Sequence, residues 1–127
     1  MTENAIATEI VDVAYRLHKA IGPGLFESVY EAIMASELRK RGLHVATQLA
    51  IPVVYEETCF AIGFRADLLV EDRVIVEIKS IAEIVQIHKK QVLTYLRLGD
   101  KRLGLLINFK VMMIKDGITR IANRLEA

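Results

Sequence analysis

Asp67, Glu77 and Lys79 are three ionisable side chains set in the most apolar stretch of the chain. That stretch runs Phe64-Arg65-Ala66-Asp67-Leu68-Leu69-Val70, then Glu71-Asp72-Arg73, then Val74-Ile75-Val76-Glu77-Ile78-Lys79. Two β-rich runs about a short polar break are a hairpin pattern, and side chains two apart on a strand share a face. Glu77 and Lys79 therefore point the same way, and an in-register hairpin brings Asp67 beside Glu77. Two neighbouring carboxylates are oxygen ligands suited to a hard cation such as magnesium or manganese. A solvated, salt-bridged strand face would also carry Glu and Lys at this spacing, so the tripeptide alone leaves both readings open.

The elements that must position these residues follow from periodicity. Ile6, Ile10, Val13, Leu17 and Ile21 recur at three- and four-residue steps, which predicts an amphipathic helix over about residues 4–20, ended by Gly22-Pro23-Gly24. A second helix is expected from near Leu25 to about Arg41, with Val29, Ile33, Met34 and Leu38 facing the core and Gly42 as its stop. Glu27 falls in its first turn, where the helix dipole favours a carboxylate whatever else that residue does. From Val45 the pattern turns β-branched. Leu49–Tyr55 reads as a strand, with Pro52 marking an edge or a bulge, and Cys59–Val70 and Val74–Lys79 continue the sheet. A third helix is expected over about Ala82–Leu98, then a strand buried on both faces at Leu103–Asn108. Val111–Ile114 and Ile118–Ile121 around Lys115-Asp116-Gly117 suggest a terminal hairpin.

The sum is an α/β fold, a mixed sheet flanked by helices with the acidic strands at its centre, and one domain over residues 1–127. On the third helix Val85, Val92 and Leu96 form the apolar positions, while His88, Gln91 and Tyr95 make a polar line beside them. That line faces either the acidic strands or the solvent boundary.

Composition narrows the class. With 53% hydrophobic and 26% charged residues the chain is that of a folded soluble protein. No apolar run is long enough to span a bilayer, and Met1-Thr2-Glu3-Asn4 lacks the basic start of a signal peptide, so a cytoplasmic protein with no membrane association is expected. The single cysteine, Cys59, accords with a reducing compartment and is expected to be a half-buried hydrophobe. A formal net charge of +1 gives no global field for polyanions, leaving Arg39-Lys40-Arg41, Lys89-Lys90 and Lys101-Arg102 as local candidates or as solvated helix ends and loops.

With Gly24-Leu25-Phe26-Glu27-Ser28-Val29-Tyr30 also in view, the chain resembles the small bacterial GxxExxY proteins of the PD-(D/E)XK nuclease-like superfamily. Gly24, Glu27 and Tyr30 match the naming motif, Asp67, Glu77 and Lys79 the core acid and Glu-x-Lys, and Gln91 and Tyr95 the Gln-xxx-Tyr helix of an exonuclease-like branch. Ala66 departs from the proline of the superfamily's name. The resemblance implies a restriction-endonuclease-like core and a magnesium- or manganese-dependent hydrolysis of phosphodiesters in DNA or RNA.

On that resemblance Asp67 and Glu77 are direct metal ligands, the Ile78 carbonyl completes the protein side, and Glu27 is a third acid. Lys79 orients the attacking water and offsets phosphate charge, a role favoured over general base because acids beside it hold its proton. Gln91 would bond the water or Lys79, and Tyr95, Lys89 and Lys90 would contact substrate. His88 and Tyr30 are supporting residues, with helix-boundary and packing roles as their ordinary alternatives. A cluster of acids should also gain thermal stability from the ion. The competing class is a non-catalytic nucleic-acid-binding or protein-interaction module that keeps the fold. Either could work as a homodimer or with a protein partner that supplies specificity.

Overall fold

In the computed structural model, which describes residues 1–126, the chain runs α1 (Glu3–Ile21), α2 (Glu27–Lys40), β1 (Val45–Tyr55), β2 (Thr58–Val70), β3 (Val74–Lys79), α3 (Gln86–Leu98), β4 (Leu103–Asn108), a short 3-10 turn (Ile114–Gly117) and β5 (Ile118–Ala122). α1 starts where Thr2 Oγ1 accepts the Ala5 N–H at 3.1 Å and stops where Gly22 takes φ 83°. Its buried stripe is Ile6, Ile10, Val13 and Leu17, while Ile21, the last member of the sequence pattern, is exposed. α2 begins two residues later than Leu25, because the Tyr30 hydroxyl takes the Leu25 N–H and holds Leu25 and Phe26 outside the helix. Its core face is Tyr30, Met34, Ala35 and Leu38, with Val29 turned to solvent.

The strands form one five-stranded sheet in the order β1-β2-β3-β4-β5. β3 and β4 are parallel, joined through α3, and the other neighbours are antiparallel. α1 and α2 cover one face against Leu68, Val70, Val76, Ile78, Leu105 and Ile107. On the other face, Val92 and Leu96 of α3 pack with Phe64, Leu69, Ile75 and Leu106. All of β4 is buried, as a central strand covered on both faces must be. β1 is one of the two edge strands, and its register shifts between Ile51 and Val53, at Pro52. Among the described residues no helix is long and apolar enough to cross a membrane.

Three expectations are corrected. The terminal hairpin does not form: β5 pairs antiparallel with β4, and of the expected first strand, Val111–Ile114, residues 111–113 are irregular and Ile114 opens the 3-10 turn. A Cβ on Gly117 would collide with the Asn108 carbonyl, so the chain folds tightly back on the end of β4 and offers β5 that strand's free edge. α3 begins at Gln86, not Ala82, because the Asn108 amide accepts the Ile81 N–H at 3.1 Å and donates to the Ile81 carbonyl at 2.9 Å, claiming that backbone before a helix can. Val85, at its start, is exposed. Cys59 is exposed, carried on the part of the β1–β2 hairpin that no helix covers.

Candidate active site

β2 and β3 pair from Val70↔Val74 to Leu68↔Val76. One step further, side chains take over from the ladder. The Asp67 N–H donates to Glu77 Oε1 at 3.2 Å, and the Ile78 N–H donates to Asp67 Oδ2 at 2.8 Å. The two carboxylates are thus fixed side by side on the α3 face of the sheet, where alternation also puts Lys79. Glu77 is only 7% exposed. Burial, then the charge of Asp67, pushes its carboxyl up to about 8, with Lys79 offsetting part of the rise.

A metal-free Glu77 is therefore mostly a neutral acid at pH 7, and what would ionise it is a positive charge set against both carboxylates. Among the described residues no group of three or more His, Cys, Asp or Glu side chains is gathered closely enough to hold an ion. The donor set fits a hard divalent cation of the magnesium kind, which takes one or two protein carboxylates and fills its remaining positions with water and substrate.

Glu27, expected as a third acid, is held by the residue after Lys79. Its Oε2 accepts the Ser80 N–H at 2.9 Å, while Ser80 Oγ donates to the Leu25 carbonyl at 2.9 Å. This clamps the loop before α2 onto the end of β3. Tyr30 secures the same loop from inside. Fully buried and stacked on Phe109 with centroids 4.2 Å apart, it donates from its hydroxyl to the Gly22 carbonyl at 2.6 Å and accepts the Leu25 N–H at 3.2 Å.

From the opposite side, Tyr95 stacks on Phe64 with centroids 4.0 Å apart. Its hydroxyl is pushed up by burial and then by the charges of Glu77 and Asp67, which marks it as the neighbour of the acid pair. Gln91 lies one turn earlier on α3 and is exposed, with Lys90 exposed and Lys89 half-buried beside it. His88 acts locally, its Nδ1 accepting the Val85 N–H at 2.9 Å and closing the start of α3.

Four residues join the site that sequence reasoning passed over. Gln48 Nε2 bridges Glu31 Oε1 at 2.9 Å and Asp67 Oδ1 at 3.1 Å. Ser80 holds Glu27, and Asn108 ties Ile81 and the Lys110 N–H to the end of β4. Glu31, one helical turn after Glu27, and Ser80, directly after the Glu-x-Lys, had positional signals. Gln48 and Asn108 had none, since their roles depend on neighbours remote in sequence.

A model of the PD-(D/E)XK nuclease superfamily matches residues 4–121. Among solved structures, the crystal structure of SSO0001 has a similar fold, with a TM-score of 0.57 at 21% identity over 79% of this chain and 52% of that one. The chain therefore spans about half the length of that protein. None of the curated proteins matches.

Proposed function

Because the chain belongs to the PD-(D/E)XK nuclease superfamily, with a restriction-endonuclease-like mixed sheet flanked by helices, we propose that it is a divalent-metal-dependent nuclease of the GxxExxY branch, hydrolysing phosphodiester bonds in DNA or RNA. The observation that supports this best is the Asp67–Glu77 pair, locked together by backbone N–H groups with Lys79 on the same face.

Asp67, Glu77 and the Ile78 carbonyl are the groups that would hold magnesium or manganese. When bound, the ion supplies Lewis-acid polarisation of the phosphate and lowers the pKa of water. Lys79 orients the attacking water and offsets charge developing on the phosphate. Gln91 hydrogen-bonds that water or Lys79, the Tyr95 hydroxyl supports the acids, and Lys89 and Lys90 take neighbouring phosphates. Glu27 serves through Ser80 by fixing the backbone next to Lys79.

The naming motif gains a physical sense from this arrangement. Gly24 takes φ 109°, a conformation that suits glycine, Glu27 clamps the loop to β3, and Tyr30 clamps it to α1's end. The test is cleavage of labelled single- and double-stranded DNA and RNA with magnesium, manganese or chelator, by the wild type beside Lys79→Ala. Metal-dependent cutting lost in the variant is the expected result. Equal cutting by both proteins would remove the site from consideration, and no metal-dependent cutting of any of the four substrates would count against the reading.

A further inference from the structure

A cleft of about 570 Å³ opens beside the site, where the loop before α2 meets the ends of β3 and β4. Phe26, Glu27, Ser28, Ser80 and Lys110 line it. Its size lies within the range of ligand clefts, and it sits beyond the carboxyl ends of the two parallel strands, where open α/β sheets bind ligands.

Phe26 is 82% exposed. A single exposed apolar side chain is ordinary on a surface. Unlike most, however, it sits on a backbone bonded on every side. The Leu25 N–H is taken by Tyr30 and the Leu25 carbonyl by Ser80, the Phe26 carbonyl accepts the Val29 N–H at 3.1 Å, and Glu27 is tied to the Ser80 N–H. An aromatic ring held out to solvent from a tied backbone has only its own side-chain torsions to order when a flat partner lies on it. Across the cleft, Lys110 extends from a backbone fixed by Asn108 and is exposed. An aromatic platform paired with a lysine is the equipment of single-stranded nucleic-acid binding, in which bases stack on rings and phosphates meet cations.

We infer that this cleft is the track of an unpaired nucleic-acid strand, with a base stacked on Phe26 and a phosphate paired with Lys110, leading toward Lys79. A base inside a duplex has both faces covered by its neighbours, so this platform selects single strands, overhangs or frayed ends. The inference rests on the nuclease reading only for what happens where the strand meets Lys79.

Binding can therefore be tested apart from cleavage. Short DNA and RNA oligonucleotides, single-stranded and duplex, each with a 2-aminopurine, are titrated in chelator with the wild type, Phe26→Ala, Phe26→Trp and Lys110→Ala. Single strands should bind the wild type more tightly than duplexes and show quenched fluorescence on binding. Phe26→Ala should weaken single-strand binding by roughly tenfold or more and lose the quench, while Phe26→Trp retains both. Lys110→Ala should weaken binding and reduce its salt dependence by about one phosphate contact. Single-strand binding unchanged in Phe26→Ala, a preference for duplex, or no binding of single strands would overturn the inference even if the wild type cleaves. Phe26-dependent binding without any cleavage would leave the strand track standing and count against the nuclease reading alone.

Discussion

Asp67 and Glu77 bind each other's strand: the Asp67 N–H donates to the Glu77 carboxylate, and the Asp67 carboxylate accepts the N–H of Ile78. The ladder hydrogen bonds that would otherwise close β2 onto β3 are replaced by carboxylates, so two acids are fixed next to each other, with Lys79 offsetting only part of their charge. Burial first, and then the charge of Asp67, lifts the Glu77 carboxyl to about 8 against an ordinary 4.5.

A pH-dependent response to metal follows. A raised carboxyl favours folding while it stays protonated. In metal-free protein its contribution is complete below about 4.5 and is lost as the pH rises through about 8. The metal-free Tm should fall across that window. A divalent ion binds the ionised form and displaces the proton, so the magnesium-induced rise in Tm should be larger near pH 8.5 than near pH 6. Scanning calorimetry with magnesium or chelator measures this. An equal rise at both pH values would mean that Glu77 is not a ligand.

Substitutions at Glu77 and Lys79 should separate metal binding from chemistry. Glu77→Gln removes a buried carboxyl that is costly to ionise, so its metal-free Tm at pH 8 should equal or exceed the wild-type value, while the magnesium response disappears. Lys79→Ala keeps both carboxylates and should keep the magnesium response, with cleavage reduced by about 10²-fold or more. Thermal melts beside initial cleavage rates report both quantities. Loss of the magnesium response in Lys79→Ala would make the lysine part of the metal site's structure.

The sequence made the centre legible because its signals were local. Alternation put Glu77 and Lys79 on one face, the Glu71-Asp72-Arg73 break set the hairpin that brings Asp67 to Glu77, and the α1 stripe follows helical spacing through Leu17. The failures depend on remote neighbours. The end of the chain looked like a hairpin because Ile118–Ile121 alternates, but the free edge of β4 competes for that strand and Gly117 can pack on Asn108 as no larger residue could. α3 starts late because the Asn108 amide, on another strand, captures Ile81. Cys59 looks apolar in sequence, yet its stretch of hairpin extends past the helices. The sequence places Glu27 in the first turn of α2 but not against Ser80, whose N–H its Oε2 accepts, because that partner lies at the end of a strand remote in sequence.

Tyr95 should divide cleanly into ring and hydroxyl. The ring stacks on Phe64 and closes the α3 side of the core, while the hydroxyl is the part near Glu77 and Asp67. Tyr95→Phe should keep stability within about 1 kcal/mol and lower kcat by about tenfold, by removing the hydroxyl that faces the charges of Glu77 and Asp67. Tyr95→Ala should cost roughly 2–4 kcal/mol through lost packing. Urea denaturation and steady-state cleavage of both variants check this, and an unchanged kcat in Tyr95→Phe would confine the residue to packing.

The loop before α2 offers the sharpest contrast between support and chemistry, because Tyr30 and Glu27 hold it from opposite sides. Tyr30→Phe leaves the ring on Phe109 but strips the Gly22 carbonyl and the Leu25 N–H of their partner, at a cost of about 1–3 kcal/mol. The loop carries Leu25, whose carbonyl receives Ser80 Oγ, so the loss should spread to the backbone after Lys79 and lower cleavage as well. Glu27→Gln retains an amide oxygen that can accept the Ser80 N–H, and its stability should stay near the wild-type value. Glu27→Ala abandons that bond and frees the end of β3. If Glu27 acts by clamping, Gln preserves most of the activity and Ala does not. If its charge acts at a metal, both variants fall together and the magnesium-induced rise in Tm shrinks in both. Measuring cleavage and magnesium-dependent melting for the three variants side by side decides between a loop clamp and a third acid.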